Sequence, residues 1–169
     1  MIENCCFTGH RHLPSGEGLL LLQKRLGEAI RRAYQLGVRH FYAGGALGFD
    51  MLAEECVCDL RERELGDICL HLLLPCRDQE RLWPLAEKER YHSLIARADS
   101  HVFLYPAYER FVMPARNRAL VKAADLCIAY LVDDAGGTAQ TVSLAKKKPI
   151  PVINLAGNAP LFDGEATER

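Results

Sequence analysis

The sequence predicts an α/β fold, with a single doubly wound and mostly parallel sheet and helices on both faces. Short apolar segments of strand length alternate with longer segments whose apolar residues recur every three or four positions. Residues 68–74 are almost continuously apolar, as expected for a strand covered on both faces. Glycine-rich or arginine-bearing loops follow several strands, and the carboxyl ends of the strands are where such sheets bind ligands.

Apolar spacing and helix-ending residues define the elements in order. Strands are predicted over residues 2–7, 38–42, 68–74, 102–104, 125–132 and 150–154. Helices are predicted over residues 17–36, 51–63, 79–98, 113–124 and 137–147. Gly37 is a suitable stop for the first helix, and Pro84 predicts a break in the third.

The composition fits one domain over residues 1–155, followed by a polar tail over residues 156–169. A chain of 169 residues with 49% hydrophobic content can build a core. Its 21 basic and 22 acidic residues form no block typical of a nucleic-acid or membrane surface. The apolar runs are too short to span a bilayer, and no basic segment of a signal peptide precedes the first one.

The cysteines favour a reducing, cytoplasmic location. There are seven, an odd number without a Cys-x-x-Cys pair, at positions 5, 6, 56, 58, 69, 76 and 127. They lie in strand-like or helix-like segments, which predicts buried free thiols and neither a disulfide framework nor a zinc site. We therefore predict no metal.

A glycine pair between a strand and a helix predicts an anion site around Gly136 and Gly137. The first turn of a helix has N–H groups without intrahelical partners, and the helix dipole adds positive potential there. Thr138 and Thr141 follow and complete the candidate phosphate-binding segment. The alternative is an ordinary strand-to-helix turn with one of these threonines near the N-cap.

Gly44, Gly45 and Gly48 form a second glycine-rich loop before a helix. Their spacing fits neither a Walker A loop nor the strict dinucleotide fingerprint, but it could cradle a phosphate or a sugar edge. Asp50 follows this loop, and its carboxylate suits ribose hydroxyls better than a phosphate. Ligand binding and plain helix capping both stay open for this segment.

Thr8, Gly9 and Arg11 follow the first strand, near the centre of the predicted sheet. Arg11 is suited to clamp a phosphate through two hydrogen bonds. His10 and His12 have no carboxylate or cysteine nearby in the sequence, so we do not predict a metal site there.

Arg116 and Asn117 begin a helix, where a solvated basic turn is the alternative to ligand binding. Asn117 is a versatile donor and acceptor, which favours the ligand-binding interpretation. Aromatic residues that could stack on a base or pack in the core are Trp83, Tyr105 and Tyr108.

These motifs together resemble the YpsA-like family of the SLOG superfamily, in order over roughly residues 5–154. The resemblance implies a Rossmann-like domain that binds a nucleotide or a nucleotide-derived ligand. It rests on residues 6–11, on Gly44, Gly45, Ala46, Gly48, Phe49 and Asp50, on Leu74, Pro75, Cys76, Gln79 and Trp83, on residues 116–118, and on Gly136, Gly137, Thr138, Ala139 and Thr141.

The same superfamily contains the lonely-guy phosphoribohydrolases, which this chain matches in part. Residues that match or occupy positions of their signature are Arg116, Asn117, Asp125 and Thr138. Thr141 stands where those enzymes have the catalytic glutamate, and N-glycosidic hydrolysis needs a carboxylate. Asp50 is then the substitute catalytic candidate.

Three functions follow from the resemblance, and a nucleotide-binding sensor or regulatory protein is the first. A phosphoribohydrolase-like enzyme acting on nucleoside monophosphates is the second. The third is a single-stranded DNA-binding module, as in DNA-processing protein A of the same superfamily, and it would need a local patch of arginines. No cofactor beyond the nucleotide ligand and no membrane partner is expected, and a homo-oligomer stays open.

Overall fold

A computed structural model of the chain describes residues 1–157 and 159–161. Most of the polar tail predicted from residue 156 lies outside these residues, so the domain boundary stays a prediction. The strands are β1 (Asn4–Gly9), β2 (His40–Ala43), β3 (Cys69–Cys76), β4 (Ser100–Tyr105), β5 (Leu126–Tyr130) and β6 (Val152–Asn154). The helices are α1 (Glu17–Gln35), α2 (Phe49–Arg63), α3 (Leu85–Arg97), α4 (Val112–Ala123) and α5 (Gly136–Lys147).

The strands form one sheet with the order β4-β3-β2-β1-β5-β6, and every described pair is parallel. The chain moves outward from β1 to β4, returns through α4, and continues on the other side of β1 with β5. The strand order therefore reverses between β1 and β5, where a crevice opens beyond the carboxyl ends of the strands. The predicted Rossmann-like α/β fold is confirmed.

Helices cover both faces of the sheet because the strand residues alternate between them. Cys5 and Phe7 of β1 join the larger core, which α1, α2 and α3 complete. Cys6 points to the other face and packs in a smaller core with residues of α4 and α5. Central β1 is thus buried on both sides, and residues 5–8 form its buried stretch.

The seven cysteines are free thiols, as the sequence predicts. Five are buried, whereas Cys56 and Cys69 are only half-buried. Among the described residues, none of the helices combines the length and the apolar character needed to cross a membrane.

Most elements differ from their predicted bounds by a few residues, and the differences in α3 and β4 have clear physical reasons. Helix α3 begins only at Leu85, because Pro84 restricts its own φ and the conformation of the residue before it. Residues 79–83 form turns instead. Strand β4 is longer than predicted, since Ser100 and His101 pair with β3 although their polar side chains weaken the apolar signal.

Candidate functional site

A cavity of about 310 Å³ lies at the switch point between β1 and β5. The end of β1, the start of α2, the first turns of α4 and the start of α5 supply its wall. The predicted site residues that line it are Thr8, Gly9, Arg11, Asp50, Arg116, Asn117, Gly136, Gly137 and Thr138. The fold therefore brings together loops that are far apart in the sequence.

The N-terminus of α5 borders this cavity and has no side-chain cap. Ala135 is its N-cap residue and makes no capping hydrogen bond, and the first turn contains no acidic residue. Gly136 has a φ of 87°, a left-handed conformation that glycine adopts without a steric penalty. The N–H groups of the first turn and the positive end of the helix dipole are thus available to an anion in the cavity.

Thr141 lies apart from the cavity, one turn further along α5. Its side chain is fully buried, and its hydroxyl donates to the carbonyl oxygen of Gly137 at 2.8 Å. This helical back-bond occupies the hydroxyl. The role of Thr141 in ligand binding stays a prediction that this geometry does not favour.

Arg116 extends from α4 into the wall of the cavity and is only 8% exposed. Its Nη1 donates to the carbonyl oxygen of Gly44 at 2.8 Å, and its Nε donates to Oδ1 of Asn117 at 2.9 Å. Among the described residues, its Nη2 has one hydrogen-bond partner, the weak acceptor Sδ of Met113 at 3.8 Å. A guanidinium has five N–H donors, so donors are left for an anionic ligand.

Asp50 supplies a buried carboxylate to the same cavity. Its Oδ2 accepts a hydrogen bond from the N–H of Ala46 at 3.2 Å. Burial raises the pKa of Asp50 above its usual value, whereas the charge of Arg116 and the N–H groups of Ala46 and Gly44 lower it. Burial lowers the pKa of Arg116 in turn, and Asp50 opposes that shift. The two opposite charges therefore support each other inside the wall.

The glycine loop at residues 44–48 is part of the scaffold behind the cavity. A Cβ atom on Gly44 would overlap the guanidinium of Arg116, and one on Gly48 would overlap the backbone of Arg11. Gly45 and Gly48 also have positive φ angles of 69° and 84°. Glycine is needed here because other residues of the chain approach closely. Ala46 lines the cavity, whereas the predicted site residues Gly44, Gly45 and Gly48 do not.

Buried side chains already use the peptide groups of this loop. The N–H of Gly45 donates to Oε1 of Glu54 at 2.9 Å, and the carbonyl oxygen of Gly45 accepts from Nε2 of Gln79 at 3.4 Å. The N–H of Ala46 donates to Asp50, and the carbonyl oxygen of Gly44 accepts from Arg116. The proposed phosphate-cradling role of this loop stays a prediction, and its Gly45 and Ala46 amides are not free for a phosphate.

Glu54 is a second buried acid of α2 that the sequence reasoning missed, and it lies behind the residues that line the cavity. Its side chain is fully buried, and its Oε2 has no hydrogen-bond partner among the described residues. Burial raises its pKa well above the usual value, and the neighbouring carboxylate of Asp50 raises it further. The available signal was the spacing of four residues from Asp50, which places both carboxyl groups on one face of α2.

The loop after β1 is braced against the loop after β5. Nε2 of His10 accepts a hydrogen bond from the N–H of Val132 at 2.8 Å. Gly9 packs so closely on Phe49 that a Cβ atom would overlap its ring. Arg11 is exposed and reaches the cavity mouth, so this loop positions a second guanidinium beside the site.

A larger groove of about 880 Å³ adjoins the cavity and shares Arg11, Gln79, Trp83 and Met113 with it. Trp83 and Tyr108 line this groove, which makes both rings available to a ligand. Tyr105 lies elsewhere, with its ring edge against Phe111 at a centroid distance of 4.9 Å.

Arg118 and Asp125 do not line the cavity. Arg118 is exposed and lines an adjoining hollow along the outer side of α5, which shares Asn117 and Gly136 with the cavity. Oδ2 of Asp125 accepts from the N–H groups of Glu3 and Asn4, at 3.1 and 3.0 Å. It therefore holds the amino ends of β1 and β5 together, at the opposite end of the sheet from the cavity.

The sheet order and the cleft at its switch point define a Rossmann-like α/β domain. Residues 6–149 match the family model YpsA, described as the YspA SLOG family. The chain therefore belongs to the YpsA SLOG family, as its motifs predicted.

Known relatives and solved structures agree with this assignment. UPF0398 protein BH1768 of Halalkalibacterium halodurans is 28% identical over 142 residues, which cover 82% of this chain and 72% of the relative. DNA processing protein A of Helicobacter pylori, whose structure concerns its single-stranded DNA binding mode, superposes with a TM-score of 0.61 and 20% identity, over 89% of this chain. The Streptococcus pneumoniae DNA processing protein A gives a TM-score of 0.62 and 17% identity, over 96% of this chain. This chain covers only 63% and 52% of those two proteins, so these likenesses show the fold.

Proposed function

We propose that this protein binds a nucleotide or a nucleotide-derived ligand in the switch-point cleft and acts as a sensor or regulatory protein. One observation carries the proposal. The uncapped N-terminus of α5 and the unused donors of Arg116 line the same cavity, from two different helices. Helix N–H groups and a guanidinium together are suited to an oxyanion such as phosphate.

The remaining surfaces fit the rest of a nucleotide. Arg11 stands at the junction between the cavity and the larger groove, where a second phosphate or a sugar edge would lie. The carboxylate of Asp50 is an acceptor for ribose hydroxyls. Trp83 and Tyr108 in the groove offer ring faces on which a base can stack.

Gly137→Asp tests the anion site with little expected damage to the fold. A Cβ atom at Gly137 would meet only Nδ2 of Asn117, at an ordinary distance of 3.6 Å. A carboxylate in the first turn also interacts favourably with the positive end of the helix dipole, so the variant should keep the melting temperature of the wild type. The same carboxylate repels a phosphate in the cavity, and we expect affinity for nucleotides to fall by about tenfold or more.

The assay is a thermal-shift screen of nucleoside mono- and diphosphates and nucleotide sugars, followed by calorimetry of those that bind. Gln140→Glu is the matched control, because it adds the same charge to α5 at an exposed position outside the cavity. Arg11→Ala should also weaken nucleotide binding, and Arg118→Ala, at an exposed arginine that does not line the cavity, is its control. The proposal fails if no nucleotide stabilises the wild-type protein, or if Gly137→Asp binds as tightly as Gln140→Glu.

A phosphoribohydrolase-like activity is the second candidate, because Asp50 places a carboxylate beside the anion site. In this activity water would replace the base at the anomeric carbon, with Asp50 stabilising the positive charge that develops there. Incubation with nucleoside monophosphates and detection of free base tests it. Asp50→Asn should then lower the rate by about 10²-fold or more, and no base release from the wild type ends this candidate.

Single-stranded DNA binding has less support from the arrangement of arginines. It would need a continuous exposed cationic track, but Arg116 is buried and Arg118 lines a different hollow. A gel shift with single-stranded DNA at low salt checks this alternative. Binding unaffected by Gly137→Asp would separate it from nucleotide binding in the cleft.

A further inference from the structure

The amino ends of β2 and β3 bring two histidines and a cysteine together. His40 begins β2, Cys69 begins β3, and the two residues are direct partners in the parallel register. His71 lies two residues beyond Cys69, so its side chain is on the same face of the sheet. The three residues are half-buried, and solvent reaches them. They stand at the opposite end of the sheet from the switch-point cleft.

The three side chains present ligand atoms at short range. One ligand atom from each, including Sγ of Cys69, lies within 4.8 Å of the other two. Nδ1 of His40 and Nε2 of His71 are 2.9 Å apart. In a tetrahedral zinc site with Zn–N bonds of 2.0–2.1 Å, two nitrogen ligands are roughly 3.3 Å apart. The two nitrogens therefore lie roughly 0.4 Å closer than in such a site, and the rings have to separate and turn so that both lone pairs meet on an ion.

A second contact orients one ring in the manner of a metal ligand. Nδ1 of His71 lies 2.6 Å from Oγ of Ser100 on β4. Metal-binding histidines usually donate their second ring N–H to a neighbouring acceptor, which fixes the tautomer and turns the other nitrogen toward the ion. With the Nδ1 proton of His71 shared with Ser100, its Nε2 lone pair points to His40.

We propose that His40, Cys69 and His71 bind a Zn²⁺ ion, with solvent in the fourth coordination position. Two imidazoles and a thiolate are a donor set that zinc prefers, and no carboxylate competes to favour Mg²⁺ or Ca²⁺ within this cluster. The sequence prediction of no metal rested on linear spacing. His40 precedes Cys69 by 29 residues and His71 by 31, and it meets them because β2 and β3 are adjacent.

Binding releases one proton. The Cys69 thiol loses its proton to solvent as the Zn–S bond forms. The neutral ring of His40 also changes tautomer, so that its proton is on Nε2 and no longer on Nδ1, which faces His71. Both facing nitrogens then have a lone pair for the ion, and the charge of the rings does not change. The ion would connect β2 to β3 and leave one position for water or an added ligand.

Zinc and cobalt titrations of the tag-free, reduced protein test the site. Competition with a chromogenic chelator should show one Zn²⁺ per chain, and Co²⁺ should give the thiolate charge-transfer band and ligand-field bands of a four-coordinate site. Cys69→Ser should abolish the charge-transfer band, and His71→Ala should weaken zinc binding at least tenfold. Cys56→Ser, at the other half-buried cysteine, is the matched control and should bind like the wild type.

Circular dichroism verifies that each variant is folded, and His40→Gln provides a third ligand variant if one of the others is not. Zinc should also raise the melting temperature of the wild type and of Cys56→Ser but not of Cys69→Ser. The inference is overturned if the wild type binds no stoichiometric Zn²⁺ at micromolar concentration. Binding that survives both Cys69→Ser and His71→Ala overturns it equally.

Discussion

Replacing Glu54 by glutamine should stabilise the protein increasingly as the pH rises above 4.5, the usual pKa of a glutamate. Burial and the neighbouring Asp50 hold the pKa of Glu54 well above that value in the folded state. Between the two pKa values the folded protein keeps a proton that the unfolded chain loses. The free energy of unfolding of the wild type therefore falls with rising pH through this window.

The size of the effect follows from the one-proton difference. One proton corresponds to about 1.4 kcal/mol per pH unit, so the advantage of Glu54→Gln should grow by up to that amount between pH 5 and pH 6. Below pH 4 the advantage should vanish, because both states of the wild type are then protonated. Glutamine retains an oxygen acceptor for the N–H of Gly45, whereas Glu54→Leu leaves that group unpaired at a cost of about 1–3 kcal/mol.

Urea unfolding of the wild type, Glu54→Gln and Glu54→Leu between pH 4 and pH 8 measures these differences. Glu64→Gln is a control of opposite sign: its hydrogen bond to Arg31 lowers the pKa of Glu64, so the interaction stabilises above pH 4.5 and is lost as the pH falls. A stability difference between Glu54→Gln and the wild type that stays flat from pH 5 to pH 7 would refute the reasoning. Glu54 would then be ionised or hydrated in the folded protein.

Three further substitutions probe the scaffold around the cleft and the opposite end of the sheet. Gly48→Ala should cost more than about 1 kcal/mol in urea unfolding, because its φ is 84° and its Cβ would overlap the Arg11 backbone; a neutral effect would contradict the loop geometry. Asp125→Ala should cost about 1–2 kcal/mol at pH 7, since Asp125 accepts two backbone N–H groups. Burial raises the pKa of Asp125, but these hydrogen bonds outweigh burial and lower it. The cost of Asp125→Ala should therefore shrink as the pH falls below 3.8, and a cost that does not change with pH would contradict this role of the carboxylate. Lys148→Met keeps an apolar side chain but removes the ammonium that donates to carbonyl oxygens in the last turn of α4 and to that of its C-cap residue, Ala124, at 2.6 Å. We expect a loss of about 1 kcal/mol by thermal unfolding, and no loss would show that water replaces these bonds.

The α2 helix illustrates how far the sequence could lead toward the site. Asp50 was identifiable because it follows a glycine loop, and the cavity does include it. Glu54 lies on the same helical face, but nothing in the sequence distinguishes a buried acid from a solvated one at that position. Helix α3 packs against α2 from a distant part of the chain. Burial raises the pKa of its Tyr91, which lies near enough to Glu54 for the carboxyl charge to raise the pKa of the tyrosine further.

The two glycine loops show the same limit, because their sequences look alike and their structural roles differ. The amides of the α5 turn border open space in the cavity, with nothing within 4 Å of a Cβ on Gly136. The amides at Gly45 and Ala46 are already bonded to Glu54 and Asp50. A local sequence motif predicts that N–H groups are present, but it does not indicate whether buried side chains already accept hydrogen bonds from them.

The amino-acid sequence by itself determined the order of strands and helices, the parallel α/β class and the family, because apolar periodicity and local turn residues encode them along the chain. Only the tertiary structure decided which loops share the cleft and which donors stay available for a ligand. Arg116 reaches Gly44 across 72 residues of chain. Contacts of that kind arise from strand order and helix packing, which bring together groups that no local pattern connects.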